Sequence, residues 1–230
     1  MNSLLGIFAE APASAKQPQV TPIREHAQRK AVSSTTSIQD EQIRTLVQQL
    51  FFRPESKPVR HVAFVAVEAT TETAALCLEV ARSLAEEDKY DVGLIDAHSA
   101  PSLLQTKLQI ASPSRAESTW PMARRLWMVP RQSWLPDEGG QRITEQNLSR
   151  LRELTTEFDF SILWCAPVSW LTLSIGQVCD GVVLVLTANK TRRLVAGQIR
   201  DQLNQARVPL LGTVLAERRF PVPQGLYRSL

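Results

Sequence analysis

From position 59 onward the apolar residues fall into short dense blocks, separated by longer stretches whose apolar positions recur at helical spacing. The blocks at 61–67 (HVAFVAV), 91–97, 126–130, 158–165, 181–187 and 210–216 read as strands. Several are continuous apolar runs rather than alternations, VVLVL at 182–186 most plainly. A strand that is apolar on both pleated faces is covered on both sides, as in a parallel sheet between two helix layers. The stretches 72–86, 143–158 and 192–206 read as helices, the second with a frayed end. Strand and helix therefore alternate. The pattern predicts an α/β domain with a doubly wound, mainly parallel sheet flanked by helices and joined by right-handed crossovers. Residues 98–142, rich in Pro and Ser, are its least regular part.

Upstream the pattern changes. Residues 9–37 are rich in Ala, Pro, Gln, Ser and Thr and show no apolar period, so residues 1–37 are expected to be a disordered tail. A leading helix and linker follow over 38–58, with Ser37 placed to cap the helix. Ile38, Ile43, Leu46, Val47, Leu50 and Phe51 supply its apolar side, and Pro54 and Pro58 end it. The α/β domain then occupies 59–230. The apolar patch at the start (Leu4, Leu5, Ile7, Phe8) has no basic flank and does not read as a secretory signal.

Composition narrows the function classes. The chain has 230 residues, 43% of them hydrophobic, enough for one full core and a tail. Twenty-six basic and 23 acidic residues leave a net charge of +3, too mild to imply nucleic acid. Trp120, Trp127 and Trp134 recur every seven residues beside Arg115, Arg124, Arg125 and Arg131. Interleaved aromatic and basic residues can stack and neutralise nucleic acid. Pro121, Pro130 and Pro136 break any single helix that would align them, so core packing plus an interaction surface is the expectation, with no nucleic acid bound. Cys77, Cys165 and Cys179 lie far apart in apolar stretches without a C-x-x-C pair, which reads as buried thiols in a reducing compartment and no metal site. No apolar run approaches the ~20 residues that span a bilayer. The expected location is the cytoplasm, at the inner face of the membrane if a partner holds it there.

The turn between the first strand and its helix carries the functional question. It reads Glu68, Ala69, Thr70, Thr71, Glu72, Thr73, with no glycine and no lysine. A phosphate-binding loop at this place needs glycines, so that backbone N–H groups can wrap the phosphates, and a lysine to meet their charge. The frame of a nucleotide-binding protein is here without that loop.

Several landmarks in order strengthen the frame: Glu41-Gln-Ile-Arg44-Thr-Leu, Val92-Gly-Leu-Ile-Asp96-Ala followed by Pro101-Ser-Leu, Phe158-Asp-Phe-Ser-Ile-Leu, Cys179-Asp-Gly-Val-Val-Leu-Val, and Lys190-Thr-Arg-Arg. Together they resemble the MinD/ParA-like P-loop ATPases, and within them the cytoplasmic tyrosine autokinases of bacterial capsule and exopolysaccharide synthesis, over about 38–230. The closing Phe220-Pro-Val-Pro-Gln-Gly-Leu-Tyr-Arg is similar to the ends of proteins from the same gene neighbourhoods. The resemblance implies that Glu41 and Arg44 lie on a helix that packs against neighbouring subunits.

The departures fall on the chemistry. Against the family pattern Thr73 stands where the phosphate lysine belongs and Ala74 where a hydroxyl should hold magnesium. Asp96 is kept, His98 replaces the next aspartate, and Trp164 replaces the magnesium-site aspartate, with Cys165 after it. Val47 takes the second arginine place of the subunit-packing helix, and Tyr227 stands alone where such kinases carry a tyrosine cluster. A charge-assisted hydrogen bond is worth ~1.5–3 kcal/mol. Losing the lysine and one metal contact therefore costs ~3–6 kcal/mol, about two to four decades of affinity. The resemblance with these losses implies no catalytic residue, no metal and no cofactor, the alternative being weak ATP with magnesium on unusual ligands. It implies a regulatory or scaffold role beside a membrane polysaccharide co-polymerase or synthase, or beside an ATPase paralogue, with self-association a further option. A MinD/ParA-like positioning factor is a third reading.

Two readings remain open for the other residues. Asp96, at the carboxyl end of a strand, is either a ligand-end acid or a carboxylate that caps a nearby turn. His98 invites an acid–base role but lacks a nucleophile or metal beside it. Glu72 reads as a first-turn glutamate that suits the helix dipole rather than as a general base. Arg192, Arg193 and Arg200 read as a solvated face, and Arg218, Arg219 and Arg228 as a surface for anionic lipid or an acidic partner.

Overall fold

The computed structural model describes residues 40–54, 57–69, 71, 73–86, 88–98, 103–109, 119–135 and 143–216. The expected tail, Ser37 and Ile38, the positions Thr70 and Glu72, and the closing segment with Tyr227 lie outside the described residues. The chain forms two units, Met1–Asp40 and Glu41–Leu230, and the fold below is that of the second.

Helix α1 covers 40–51. The domain then runs β1 (His61–Ala66), α2 (Ala74–Ala85), β2 (Val92–Ala97), α3 (Leu103–Leu108), β3 (Trp120–Ala123), β4 (Leu126–Val129), a 3-10 turn (Arg131–Ser133), α4 (Glu145–Thr156), β5 (Phe160–Cys165), α5 (Trp170–Gly176), β6 (Gly181–Thr187), α6 (Arg193–Gln205) and β7 (Leu210–Ala216). The seven strands make one sheet in the order β3-β4-β2-β5-β1-β6-β7, parallel throughout except for β3 against β4. The doubly wound sheet is the predicted one.

The two layers follow from the strand sequences. On one face Val62, Phe64, Leu94, Ile162, Trp164, Val183 and Val185 pack under α1, α2 and α3. On the other, Ala63, Val65, Ile95, Leu163, Cys165, Val182 and Leu184 pack under α4, α5 and α6. Strands with two covered faces cannot show polar alternation, hence their continuous apolar runs.

Within 98–142 the described residues form α3, the β3–β4 hairpin and the 3-10 turn. Pro121 is tolerated because β3 is the sheet edge and irregular between Pro121 and Ala123. The tryptophans do not form a stacking platform: Trp120 is buried in the first core cluster and Trp134 in the second, on opposite faces of the sheet. Helix α5 was not foreseen either, being short and apolar, though Ser169 caps it by accepting from Thr172 N. Helix α4 begins with a reciprocal capping box between Thr144 and Asn147.

Helix α1 is fixed by aromatic edges. Phe160 on β5 meets Phe51 at 5.4 Å, Phe52 at 5.7 Å and Tyr90 at 5.0 Å between ring centroids, all edge-to-face. Val47 and Leu50 are buried beside them, while Glu41 and Arg44 are exposed. Among the described residues no helix is long and apolar enough to cross a membrane.

Candidate functional site

Neighbouring strands β1 and β5 send their chains to opposite faces of the sheet, β1 to α2 and β5 to α5. The crevice at their carboxyl ends is the switch point where open α/β sheets take ligands. Four sequence-predicted positions meet there: Thr73 before α2, Asp96 at the end of β2, His98 just after it, and Trp164 on β5.

Trp164 is buried, and its indole Nε1–H donates to Thr73 Oγ1 at 2.8 Å. Thr73 is the residue before α2; its hydroxyl caps no helical N–H and accepts from the indole. The His98 ring stacks on Trp164, with centroids 4.6 Å apart and planes 21° apart. Burial, then the charges of Lys107 and Arg131, hold His98 below its ordinary pKa, so the stacked ring is a neutral imidazole at pH 7. Ala74, the next residue of α2, is itself buried in the core.

Asp96 stands opposite Trp164 in the β2–β5 ladder and is fully buried. Its Oδ1 accepts from His98 N at 3.1 Å and its Oδ2 from Leu104 N at 3.4 Å. Its carbonyl accepts from Trp134 Nε1 at 3.0 Å. Burial pushes its carboxyl up to about 6, against the two amide bonds and the Arg131 charge, which pull it down. Asp96 thus ties the β2 end to α3, the capping role the sequence left open.

The turn after β1 is closed by its own backbone. Thr71 N donates to Glu68 O, and Val67 N to Val185 O. Thr71 Oγ1 and Thr187 Oγ1 share a buried hydrogen bond of 2.7 Å, and Thr187 N donates to Thr191 Oγ1. Two amides beside this turn, those of Val67 and Thr71, are thus spent within the fold.

Magnesium needs oxygen ligands in near-octahedral array. Among the described residues, Trp164, His98 and an Asp96 carboxylate shared between two amides do not make such a set. Among the described residues no group of three or more His, Cys, Asp and Glu is placed to hold a metal ion. Burial raises the thiols of Cys77, Cys165 and Cys179, so all three stay protonated.

Sequence reasoning assigned Trp134 and Arg131 to core packing and an interaction surface rather than to this cluster, and did not name Thr187. Trp134 carried a visible signal, a tryptophan just past a strand, but its role as a donor to the Asp96 carbonyl depends on a 38-residue separation closing in space.

No protein-family model matches the chain, and no curated protein sequence matches it. Solved structures do. The chimerical protein CapA2B2 superposes at TM-score 0.61 with 14% identity, over 76% of this chain and 83% of that one. The VpsO kinase domain superposes at 0.61 with 16% identity, over 80% and 98%. A ParA family ATPase from Chlorobium tepidum TLS superposes at 0.56 with 14% identity, over 68% and 73%. The fold is the P-loop NTPase-like fold of bacterial tyrosine kinase domains and ParA-family ATPases, as the sequence landmarks predict.

Proposed function

We propose that this protein is a non-catalytic member of that fold, a pseudo-ATPase or pseudokinase that acts as a regulatory or scaffold partner in bacterial exopolysaccharide biosynthesis and export. The observation that carries the reading is the buried Trp164 indole at the switch point, hydrogen-bonded to Thr73 and stacked on His98. Three side chains that depart from the kinase pattern contact one another, two of them through Trp164, where a nucleotide would place its phosphates. A site merely weakened by one substitution would keep polar space. Here a buried indole, tied to Thr73 and His98, supports a filled site.

The fold's likeness to kinase domains supports the pathway half of the reading. The partner is a membrane polysaccharide co-polymerase or synthase, or an ATPase paralogue, and the contact surface is the outer side of α1 with Glu41 and Arg44. Both are exposed while Val47, Leu50 and Phe51 anchor the helix from beneath. Calorimetry with ATP and ADP, magnesium present and nucleotide up to millimolar concentration, tests the first half. No heat of binding is expected; saturable magnesium-dependent binding, ATP hydrolysis or tyrosine autophosphorylation overturns the reading.

A further inference from the structure

The amino-terminal end of the sheet, the pole opposite Trp164, holds a cavity of about 680 Å³. It is bounded by the end of α1, the residues entering β1, β6 and β7, and the turns that close α5 and α6. That volume lies in the range of small-molecule sites. We propose that it binds a phosphate ester whose non-phosphate part is an apolar ring or chain.

The lining has two parts. Leu50, Val59 and Leu211 offer an apolar wall, and Arg53, Lys57 and Arg207 bring three cations to the rim. None of the three cations is engaged in an ion pair among the described residues. The one carboxylate present, Asp180, is committed elsewhere: its Oδ2 accepts from Arg60 N at 2.8 Å and His61 N at 3.0 Å. The helix ends at this pole favour cations, which is the competing reason for them to be here. Those ends are already closed by the fold. Val208 N donates to Leu203 O and Arg207 N to Asn204 O behind α6, Val178 N to Ile175 O behind α5, and Gln177 Nε2 to Ala206 O. The guanidinium and ammonium groups are left with donors to spend on a ligand.

An independent feature bears on Arg207, one of five non-glycine residues with positive φ among the described residues. It occupies the left-handed position that ends α6, with φ of 58°. Glycine is the usual residue there because a Cβ is strained in that conformation. Retaining arginine costs the fold stability and places a guanidinium at the cavity rim. Strain of this kind collects where a side chain is needed for something other than folding.

The closing test uses full-length protein and avoids nucleotides, so its outcome does not depend on the state of the opposite end. Isotope-labelled protein is titrated with phenyl phosphate and inorganic phosphate, and pelleted with vesicles containing phosphatidic acid. The amide signals of Gln177, Asp180 and Arg207 are expected to shift saturably with phenyl phosphate and at higher concentration with inorganic phosphate. Arg207→Gly should raise the dissociation constant about tenfold or more while matching or exceeding the parent's thermal midpoint, since glycine relieves the strain. Response to the vesicles alone, lost in Arg207→Gly, assigns the same phosphate-ester site to a lipid headgroup. No response to either probe, or a response unchanged in Arg207→Gly, overturns the proposal.

Discussion

The indole N–H of Trp164 and the hydroxyl of Thr73, 91 residues apart in the chain, share a buried hydrogen bond of 2.8 Å across the switch point of the sheet. Neither residue type is remarkable for a core by itself. Together they join β5 to the residue before α2 at the carboxyl end of the sheet. His98 adds a third surface by stacking on the same indole. The three side chains are therefore structurally coupled through the Trp164 indole.

That coupling predicts a graded loss. Trp164→Phe keeps an aromatic ring but a smaller one and strands the Thr73 hydroxyl, at a cost of at least about 1 kcal/mol. Trp164→Ala removes the ring and leaves a cavity, at a cost of ~3–5 kcal/mol. Neither variant gains ATP binding, because opening space supplies no lysine or metal ligand. Urea unfolding followed by circular dichroism, with calorimetry on each variant, checks both halves. Nucleotide binding by Trp164→Ala would mean that the indole alone was the block.

Much of the fold is legible in the sequence for a physical reason. The strands at 61–67 and 181–187 are apolar on both faces, which is the signature of burial between two layers. The elements that escape reading are those whose pattern is cut short: α3 and α5 run only six and seven residues, and β3 carries Pro121. At the candidate site the individual positions 73, 96, 98 and 164 stand out against the family pattern. Their contacts do not, since the indole bond and the ring stack exist only once β1, β2 and β5 are adjacent. The opposite cavity left only a faint trace, an arginine between the last helical residues and Val208-Pro209 where glycine would end a helix without strain.

Asp96 predicts a pH dependence with a definite sign. Its carboxyl sits at about 6 in the folded protein against an ordinary 3.8. The folded state therefore holds this proton more tightly than the unfolded state. The associated stability is fully present below pH ~4 and lost as the pH rises through ~6. A gap of about two units corresponds to about 3 kcal/mol. His98 and His61, both lowered by burial, act in the opposite sense, losing stability as the pH falls, and do so in both proteins compared. Asp96→Asn does not titrate, so its stability relative to the parent should rise by about 3 kcal/mol between pH 4 and pH 8. A difference that stays flat across that range would show that Asp96 ionises freely.

Gly93 predicts a steric effect. A Cβ at this position on β2 would lie 2.5 Å from the Phe158 ring. Gly93→Ala must displace that ring and should cost ~1–3 kcal/mol. Because the clash is with one side chain, Phe158→Leu in the same background should return part of the loss. The measurement is a double-mutant cycle by chemical unfolding. Additive costs would place the strain in the backbone instead of the ring.

Helix α1 is the proposed contact surface and packs on the first core cluster. Its anchor is Phe51 against Phe160, with Val47 and Leu50 beneath. Phe51→Ala removes a buried ring and should cost ~3–5 kcal/mol, if the helix stays docked. The alternative is local release of α1, which caps the loss at the free energy of docking that helix. Hydrogen exchange separates the two: release lowers protection over 40–51 while the amides of β1 and β5 keep theirs. The functional corollary is sharper. Phe51→Ala leaves Glu41 and Arg44 chemically intact, so a partner that reads a docked α1 is lost with the protection. A charge reversal, Arg44→Glu, should lose the same partner with protection unchanged. If Arg44→Glu still binds the partner as the parent does, the outer side of α1 is not the contact surface.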